Sequence, residues 1–441
     1  MTEKRTVSPL FTDLYELTMG NAYFENRMFS EATFSLYIRD CPSHRNYFVA
    51  AGLEDLLRII PGIRFSETDL DYLKSQGIFS GDFLQYLKAF RFSGDIYALP
   101  EGAIFFKNEP VLEITGPLIE SQLLETLVLN AIGFPVLAAS KAARCVEAAA
   151  GKSVVDFSLR RTQGQDSGMK ASRSSYIAGV VATSNVLAGK MYHIPISGTM
   201  AHSFVLSFAD EISAFRAYAE SFPQDSVFLI DTFDTLKGAE YAVTVAREME
   251  EKGFRLKGVR LDSGDMIDLS RKVRKILDKA GLKHVSIIAS SGFEEYQIRG
   301  MVEGGAEIDA FGVGTKLGVS SDAPYLDIVY KMVRLGDKNV RKLSPGKITL
   351  AGEKQVFRFF DGNGLMERDI IGTRNESTNG ASPLLEKVME KGSPAKHLPS
   401  MEDIRRRFKE NYSMLPECYK KLEPADPFPV SISEELHRIQ P

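Results

Sequence analysis

Ten polar residues stand out because each falls in or just beyond a short apolar run: Arg160, Arg161, Thr199, His202, Asp231, Asp234, Arg260, Asp262, Asp265 and Lys316. Two glycine-bearing segments, SSGF (290–293) and GVGTK (312–316), occupy the same kind of position. Arginine forks match the oxygens of phosphates and carboxylates. Glycine at a strand–helix junction lets backbone N–H groups come close to a phosphate. Carboxylates among them can hold sugar hydroxyls or Mg²⁺. The mixture suits a phosphorylated sugar together with a second anionic group. No G-x-S-x-G elbow, H-E-x-x-H pair or Walker A loop is present, which removes the commonest hydrolase, zinc-protease and P-loop readings. His202 can act as a base or a nucleophile at such a rim, although a lone histidine is more often a hydrogen-bonded structural residue. Phe157 and Tyr15 could stack on a flat heterocycle, with plain core packing as the alternative.

These residues need a scaffold that delivers them to one place. The runs KSVVDF, HIPIS, SVFLI, LKGVRL, VSIIAS and IDAFGV read as strands, and their polar markers recur at positions 156, 199, 231, 262, 291 and 314. Amphipathic helical stretches lie between them, such as 239–253 and 266–281, each closed by a glycine. Repeated strand–helix units imply a parallel sheet with right-handed crossovers, and ligands sit at the carboxyl ends of such strands. Six units without a G-x-G-x-x-G favour an irregular α/β barrel over a dinucleotide-binding sheet. Residues 1–117 read as a mixed α+β domain, with a helix in 10–28, a strand in 31–40 and short strands in 94–117. A barrel region follows over 118–330. Residues 331–441 read as strands that pack back on the N-terminal domain, then a basic helix (403–416) with a solvated or dimer-facing surface, and a tail.

The chain of 441 residues carries a net charge of −4 and 25% charged residues. A bulk basic footprint for nucleic acid is absent, so nucleic acid is not expected as a partner. Three widely spaced cysteines without a C-x-x-C suit a reducing cytosol and no zinc site. The opening residues have no apolar run of the signal-peptide kind. The stretch 118–140 contains Glu120, Glu125, Asn130 and Pro135; it reads as a buried helix, and no membrane association is expected.

Eight segments together resemble the nicotinate phosphoribosyltransferase family: TDLYELTM (12–19), EGAIFFKNEPVLEITGP (101–117), DFSLRRTQGQDSGMKAS (156–172), SNVLAGK (184–190), GTMAHSF (198–204), LIDTFDTLKGA (229–239), GVRLDSGD (258–265) and FGVGTKLGVSSDAPYLDIVYKMV (311–333). They run through nearly the whole chain in order. The resemblance implies an irregular α/β barrel of the type II phosphoribosyltransferase kind with a second, smaller α+β sandwich-like domain. It implies a cytoplasmic homodimer with shared active sites. The implied reaction joins nicotinate to 5-phosphoribosyl 1-diphosphate with coupled ATP hydrolysis, Mg²⁺ and a phosphohistidine, in NAD salvage. By position, His202 matches the phosphorylated histidine and is paired with Asp262 as catalytic. Tyr15, Phe157, Thr199 and Arg260 match nicotinate-binding positions, with Tyr15 reaching in from the partner. Arg160 and Asp231 match positions around the ribosyl donor and its Mg²⁺-diphosphate, where Asp262 also falls. Ser291, Gly292, Gly314 and Thr315 match the cradle of the 5-phosphate. Ser158 stands where many members have glycine. Lys316 falls at a variable place and is given no role.

Three rival readings follow from the same residues. A nicotinamide or quinolinate phosphoribosyltransferase shares the barrel, but GTMAHS with LRRTQG favours nicotinate. A catalytically silent sensor on the same barrel would lack His202 or the donor arginines. A barrel lyase or aldolase would want a Schiff-base lysine at a strand end, and no run offers an obvious one.

Overall fold

The computed structural model describes residues 7–344 and 349–441. The chain divides into two compact units, one formed by the chain up to Ser140 and from Ala323 onward, the other by Lys141–Asp322.

In the first unit, alternating apolar runs pair into an antiparallel sheet of seven strands. Its order is 338–339, 328–335, 31–38, 110–117, 95–98, 386–390 and 393–394. The stretch 31–38 is buried beyond its first residue, because neighbours cover it on both edges and both faces. Phe34 stacks on Tyr330 across the sheet with ring centroids 4.8 Å apart. A four-stranded sheet (382–383, 354–360, 366–373, 430–432) belongs to the same unit. There Arg358, fully buried, donates to both oxygens of Asp369, at 2.9 Å from Nε and 2.6 Å from Nη2. The basic helix is Met401–Met414. Its Arg407 donates to the Glu101 carbonyl at 2.8 Å, so this arginine serves the unit's own packing. Residues 118–148 are long and apolar enough to cross a membrane, but 72% of the apolar stretch is buried in the fold, as a core helix is.

The second unit carries the strand-end clusters. Its strands are β1 (Ser153–Asp156), β2 (Ala182–Thr183), β3 (Val227–Leu229), β4 (Gly258–Leu261), β5 (Ser286–Ser290) and β6 (Ala310–Val313). They form one all-parallel half-barrel in the order β2-β1-β6-β5-β4-β3. Every pair is parallel, so all six carboxyl ends lie on one rim. The intervening helices are the amphipathic stretches, Thr235–Glu251 and Met266–Lys279 among them. Asp234 and Asp265 cap these two helices, accepting N–H bonds from Lys237 and from Ile267 and Asp268. They are thus occupied by backbone donors.

One expected strand is replaced. HIPIS forms a single parallel bridge, Ile196 to Thr183, and the strand beside β1 is Ala182–Thr183. His193 turns into the left-handed region at φ 57°, which breaks the extended run. Pro195 has no N–H to give a ladder; its carbonyl accepts from Thr183 and Ser197 donates back to Thr183.

Gly238 shows how tightly a helix is pressed on a strand end. A Cβ there would lie 2.1 Å from the Ile230 carbonyl oxygen, one residue before Asp231. Gly→Ala inside a helix ordinarily stabilises by about 1 kcal/mol. Here Gly238→Ala is expected to destabilise by about 2 kcal/mol through overpacking, measured by urea unfolding. An unchanged or raised midpoint would contradict this packing.

Candidate active site

Asp231 follows β3 and is buried. Its Oδ2 accepts the Asp262 N–H at 2.9 Å and the Ser263 hydroxyl at 2.7 Å, while Oδ1 has no partner among the described residues. Asp262 in turn accepts the Ser290 hydroxyl on Oδ1 at 2.5 Å. Side chains therefore lace the ends of β3, β4 and β5 together. At the other side of the rim, buried Asp156 accepts the Ser158 N–H at 2.8 Å and the Thr183 hydroxyl at 2.8 Å. This fixes the turn that carries Phe157, whose N–H donates to the Val313 carbonyl at 2.8 Å. The Phe157 ring lies against Gly312, where a Cβ would come within 2.5 Å of two ring carbons. A half-buried aromatic face is thereby presented at the junction of β1 and β6.

His202 Nδ1 is 3.1 Å from the Thr232 hydroxyl, and Nε2 faces Asp262 Oδ2 at 3.8 Å with both side chains about 40% exposed. The ring is thus oriented from one side and open on the other. Arg260 Nη1 donates to the Thr199 hydroxyl at 2.6 Å. Burial depresses the Arg260 guanidinium pKa, Asp262 and Asp231 oppose that, and the like charge of Arg160 adds to it. Arg160 is itself exposed, on the short turn Leu159–Arg161. So His202, Thr199, Arg260, Asp262, Asp231 and Arg160 form one electrostatic neighbourhood.

β5 and β6 are paired with Ser290 opposite Gly312. The exposed Ser291 and Gly292 therefore leave the sheet beside Gly314 and Thr315. Gly292 has φ +62°, a conformation that favours glycine. Tyr15 belongs to the other unit. It is 45% exposed, and its hydroxyl pKa is raised by partial burial and by Glu125. A cavity of about 570 Å³ also lies within that unit, between Tyr37, Cys41, Arg45, Phe106 and Lys354; it holds none of the residues singled out from the sequence.

Sequence reasoning missed Glu211 and gave no individual role to Thr232, Ser263 and Ser290, which lie in the strand-end clusters. Glu211 opens the helix Glu211–Ser221 and is buried, with Oε1 unpartnered among the described residues. Burial, then Asp231 and Asp234, push its pKa up to about 7, against a bond from the Thr232 backbone. Nothing in its spacing separates it from an ordinary helix-start acid. Among the described residues no group of three His, Cys, Asp or Glu side chains could hold a metal ion.

Three family models match this chain: the nicotinate phosphoribosyltransferase N-terminal domain over 10–133, the nicotinate phosphoribosyltransferase family over 152–345 and the C-terminal domain over 378–440. The chain is 43% identical over 438 residues to the Mycobacterium tuberculosis protein named nicotinate phosphoribosyltransferase pncB2, covering 99% of this chain and 94% of that one. It is 37% identical to the Bacillus subtilis nicotinate phosphoribosyltransferase, covering 97% and 93%. The crystal structure of human nicotinic acid phosphoribosyltransferase superposes with a TM-score of 0.88 at 29% identity, covering 97% of this chain and 99% of that one.

The raised Glu211 pKa has a consequence for stability. Between its ordinary value of 4.5 and about 7 the folded state holds a proton that the unfolded state has released, so stability falls as pH rises through this window. Glu211→Gln should flatten that fall, measured by urea unfolding at pH 5, 6 and 7.5. Equal slopes for the two proteins would contradict it.

Proposed function

Because the chain belongs to the nicotinate phosphoribosyltransferase family, we propose that it joins nicotinate to 5-phosphoribosyl 1-diphosphate, giving nicotinate mononucleotide and diphosphate for NAD salvage. The observation that carries this reading is the Arg260–Thr199 pair beside His202 and Asp262 on one rim, with the glycine loops at neighbouring strand ends. A buried carboxylate needs a cationic or multiply donating partner, and Arg260 with Thr199 offers one to nicotinate. Phe157 supplies one stacking face. Tyr15 supplies the other from a partner subunit.

Breaking C1–O of the ribose builds positive charge on the sugar and negative charge on the diphosphate. Arg160 stabilises the leaving group, and Asp262 and Asp231 tolerate the oxocarbenium-like centre. The pyridine nitrogen is nucleophilic at neutral pH without a base, so the site works by positioning and charge stabilisation. Ser291, Gly292, Gly314 and Thr315 hold the 5-phosphate. The orphaned Asp231 Oδ1 and the half-exposed Asp262 fit Mg²⁺ held by one or two carboxylates and substrate oxygens, the usual manner of that ion. Bound there, it would neutralise charge on the diphosphate.

ATP enters as co-substrate by passing its γ-phosphoryl group to His202, whose ring Thr232 orients; ADP leaves, and water later releases the phosphoryl group as phosphate. The added charge reorders the donor site and couples ATP use to tighter binding. A homodimer with shared sites is the proposed assembly. Phe11, Leu14 and Tyr15 are large apolar residues exposed together, as an unpaired interface would leave them. The three free cysteines fit a cytoplasmic setting. The proposed segments are 1–117, 118–330 and 331–441, and the seven-stranded sheet, in which 31–38 and 95–98 lie beside 328–335 and 386–390, supports the packing of the last segment on the first.

The direct test is mononucleotide formation from nicotinate, the ribosyl donor and Mg²⁺, with and without ATP; no product under either condition would overturn the reading. His202→Ala should retain slow, ATP-independent turnover, and full ATP stimulation in that variant would refute the phosphohistidine. Arg260→Ala should weaken nicotinate by on the order of 100-fold, as loss of one partner of a buried charge pair does, and nicotinamide far less. Equal losses in competition assays would show that the arginine serves only phosphates.

A further inference from the structure

The two loops assigned to the 5-phosphate are tied to each other by charges that the reaction does not use. Lys316 directly follows Thr315, and its Nζ lies 2.9 Å from Glu294 Oε1 and 3.4 Å from Gln297 Oε1. Glu294 stands two residues beyond Gly292 and caps the helix Glu295–Glu303. The pair therefore spans from the segment after β5 to the segment after β6, adjoining both loops of the proposed cradle in sequence.

Glu294 is anchored from below. Its Oε2 faces Lys141 Nζ at 3.7 Å. Lys141 is fully buried, pairs with the equally buried Glu295 and lies 2.9 Å from Asp322 Oδ1. Arg144 Nε donates to Glu295 Oε1 at 2.9 Å. Burial opposes the Lys141 charge, but Cys145, Glu295 and Asp322 outweigh it and keep its pKa above the ordinary lysine value. Removing any of these buried groups would leave uncompensated charge in the core. The Glu294–Lys316 pair is different. Its side chains are 24% and 34% exposed, so it can be broken without opening the interior. A partly exposed ion pair adds only about 0–1 kcal/mol to stability. What it can supply is position, because glycine loops drift unless something holds them.

We propose that Glu294 and Lys316 are positioning residues, a clamp that sets the spacing between the 291–292 and 314–315 loops and thereby the affinity for the phosphate of the ribosyl donor. This rests on the reading that those loops hold the 5-phosphate. Lys316 acts through Glu294 and does not touch the phosphate. The two roles differ in outcome. If Lys316 bound the phosphate directly, losing Glu294 would free its charge and leave or improve donor binding. If it clamps, losing either partner has the same effect.

The test is steady-state kinetics on the full-length protein for E294Q, K316Q, the double variant and K316R, with Thr315→Glu as the control for the cradle. Each single neutral variant should raise KM for the ribosyl donor about tenfold, leaving kcat and KM for nicotinate within about twofold. The double variant should be no worse than either single, and K316R should stay near wild type. Urea midpoints of all four should match wild type. A donor KM unchanged in E294Q, or additive losses in the double variant, would overturn the clamp. Matching losses accompanied by lowered midpoints would overturn it in favour of a purely structural role. Thr315→Glu separates the two ideas, since a carboxylate in the cradle repels phosphate. If it leaves donor KM unchanged, the cradle reading fails; if it raises KM while E294Q and K316Q do not, the clamp alone fails.

Discussion

A buried carboxylate on Asp231 organises the rim. Its two bonds to Asp262 and Ser263 draw the ends of β3 and β4 together, and Asp262 passes the link on to Ser290 at the end of β5. Strands this short cannot hold their loops by ladder bonds alone, because the ladders stop where the loops begin. By accepting both an N–H and a hydroxyl, one aspartate ties its own strand end to the segment that follows the next strand. Asp156 repeats the device on the far side, where it joins β1 to β2 and sets the turn that carries Phe157.

That lacing explains how opposite charges coexist in a small space. Arg260 loses solvation by its burial and is compensated by Asp262 and Asp231. Thr199 fixes one of its N–H groups, and the Arg260 Nε has no partner among the described residues. A site of this kind is pre-organised and electrostatically unfinished. Glu211 lies on the other side of the balance: a buried carboxyl next to Asp231, it is easier to protonate than an exposed glutamate. The helix Thr235–Glu251 is pressed close against the end of β3 at Gly238.

Much of this was legible in the residues. The parallel sheet followed from six apolar runs with polar ends, and the crossover helices from their periodicity and glycine stops. The gathering of Asp231 and Asp262 was implied by their place just after strands and that of Arg260 by its place near a strand's end, whereas Thr199 and His202 were put there through HIPIS, which forms only one bridge. What the sequence concealed was two-body geometry. HIPIS has strand composition, but a left-handed His193 and a proline reduce it to one bridge, and the two-residue strand at 182–183 is too short to announce itself. Thr232, Ser263 and Ser290 are ordinary strand-end residues until their hydroxyls are seen on His202, Asp231 and Asp262. Asp234 and Asp265 looked like ligand groups and are helix caps, since the same residue types serve both purposes. Lys316 showed no purpose in the linear sequence because its partner, Glu294, lies on the neighbouring loop.

The central claim is that one rim receives both the pyridine carboxylate and the sugar phosphate. A crystal structure of the protein with nicotinate mononucleotide bound tests it most directly. The account predicts the phosphate between residues 291–292 and 314–315, the ring against Phe157, and its carboxylate on Arg260 and Thr199. A nucleotide bound away from these strand ends, or seated with its carboxylate facing the glycine loops, would contradict it.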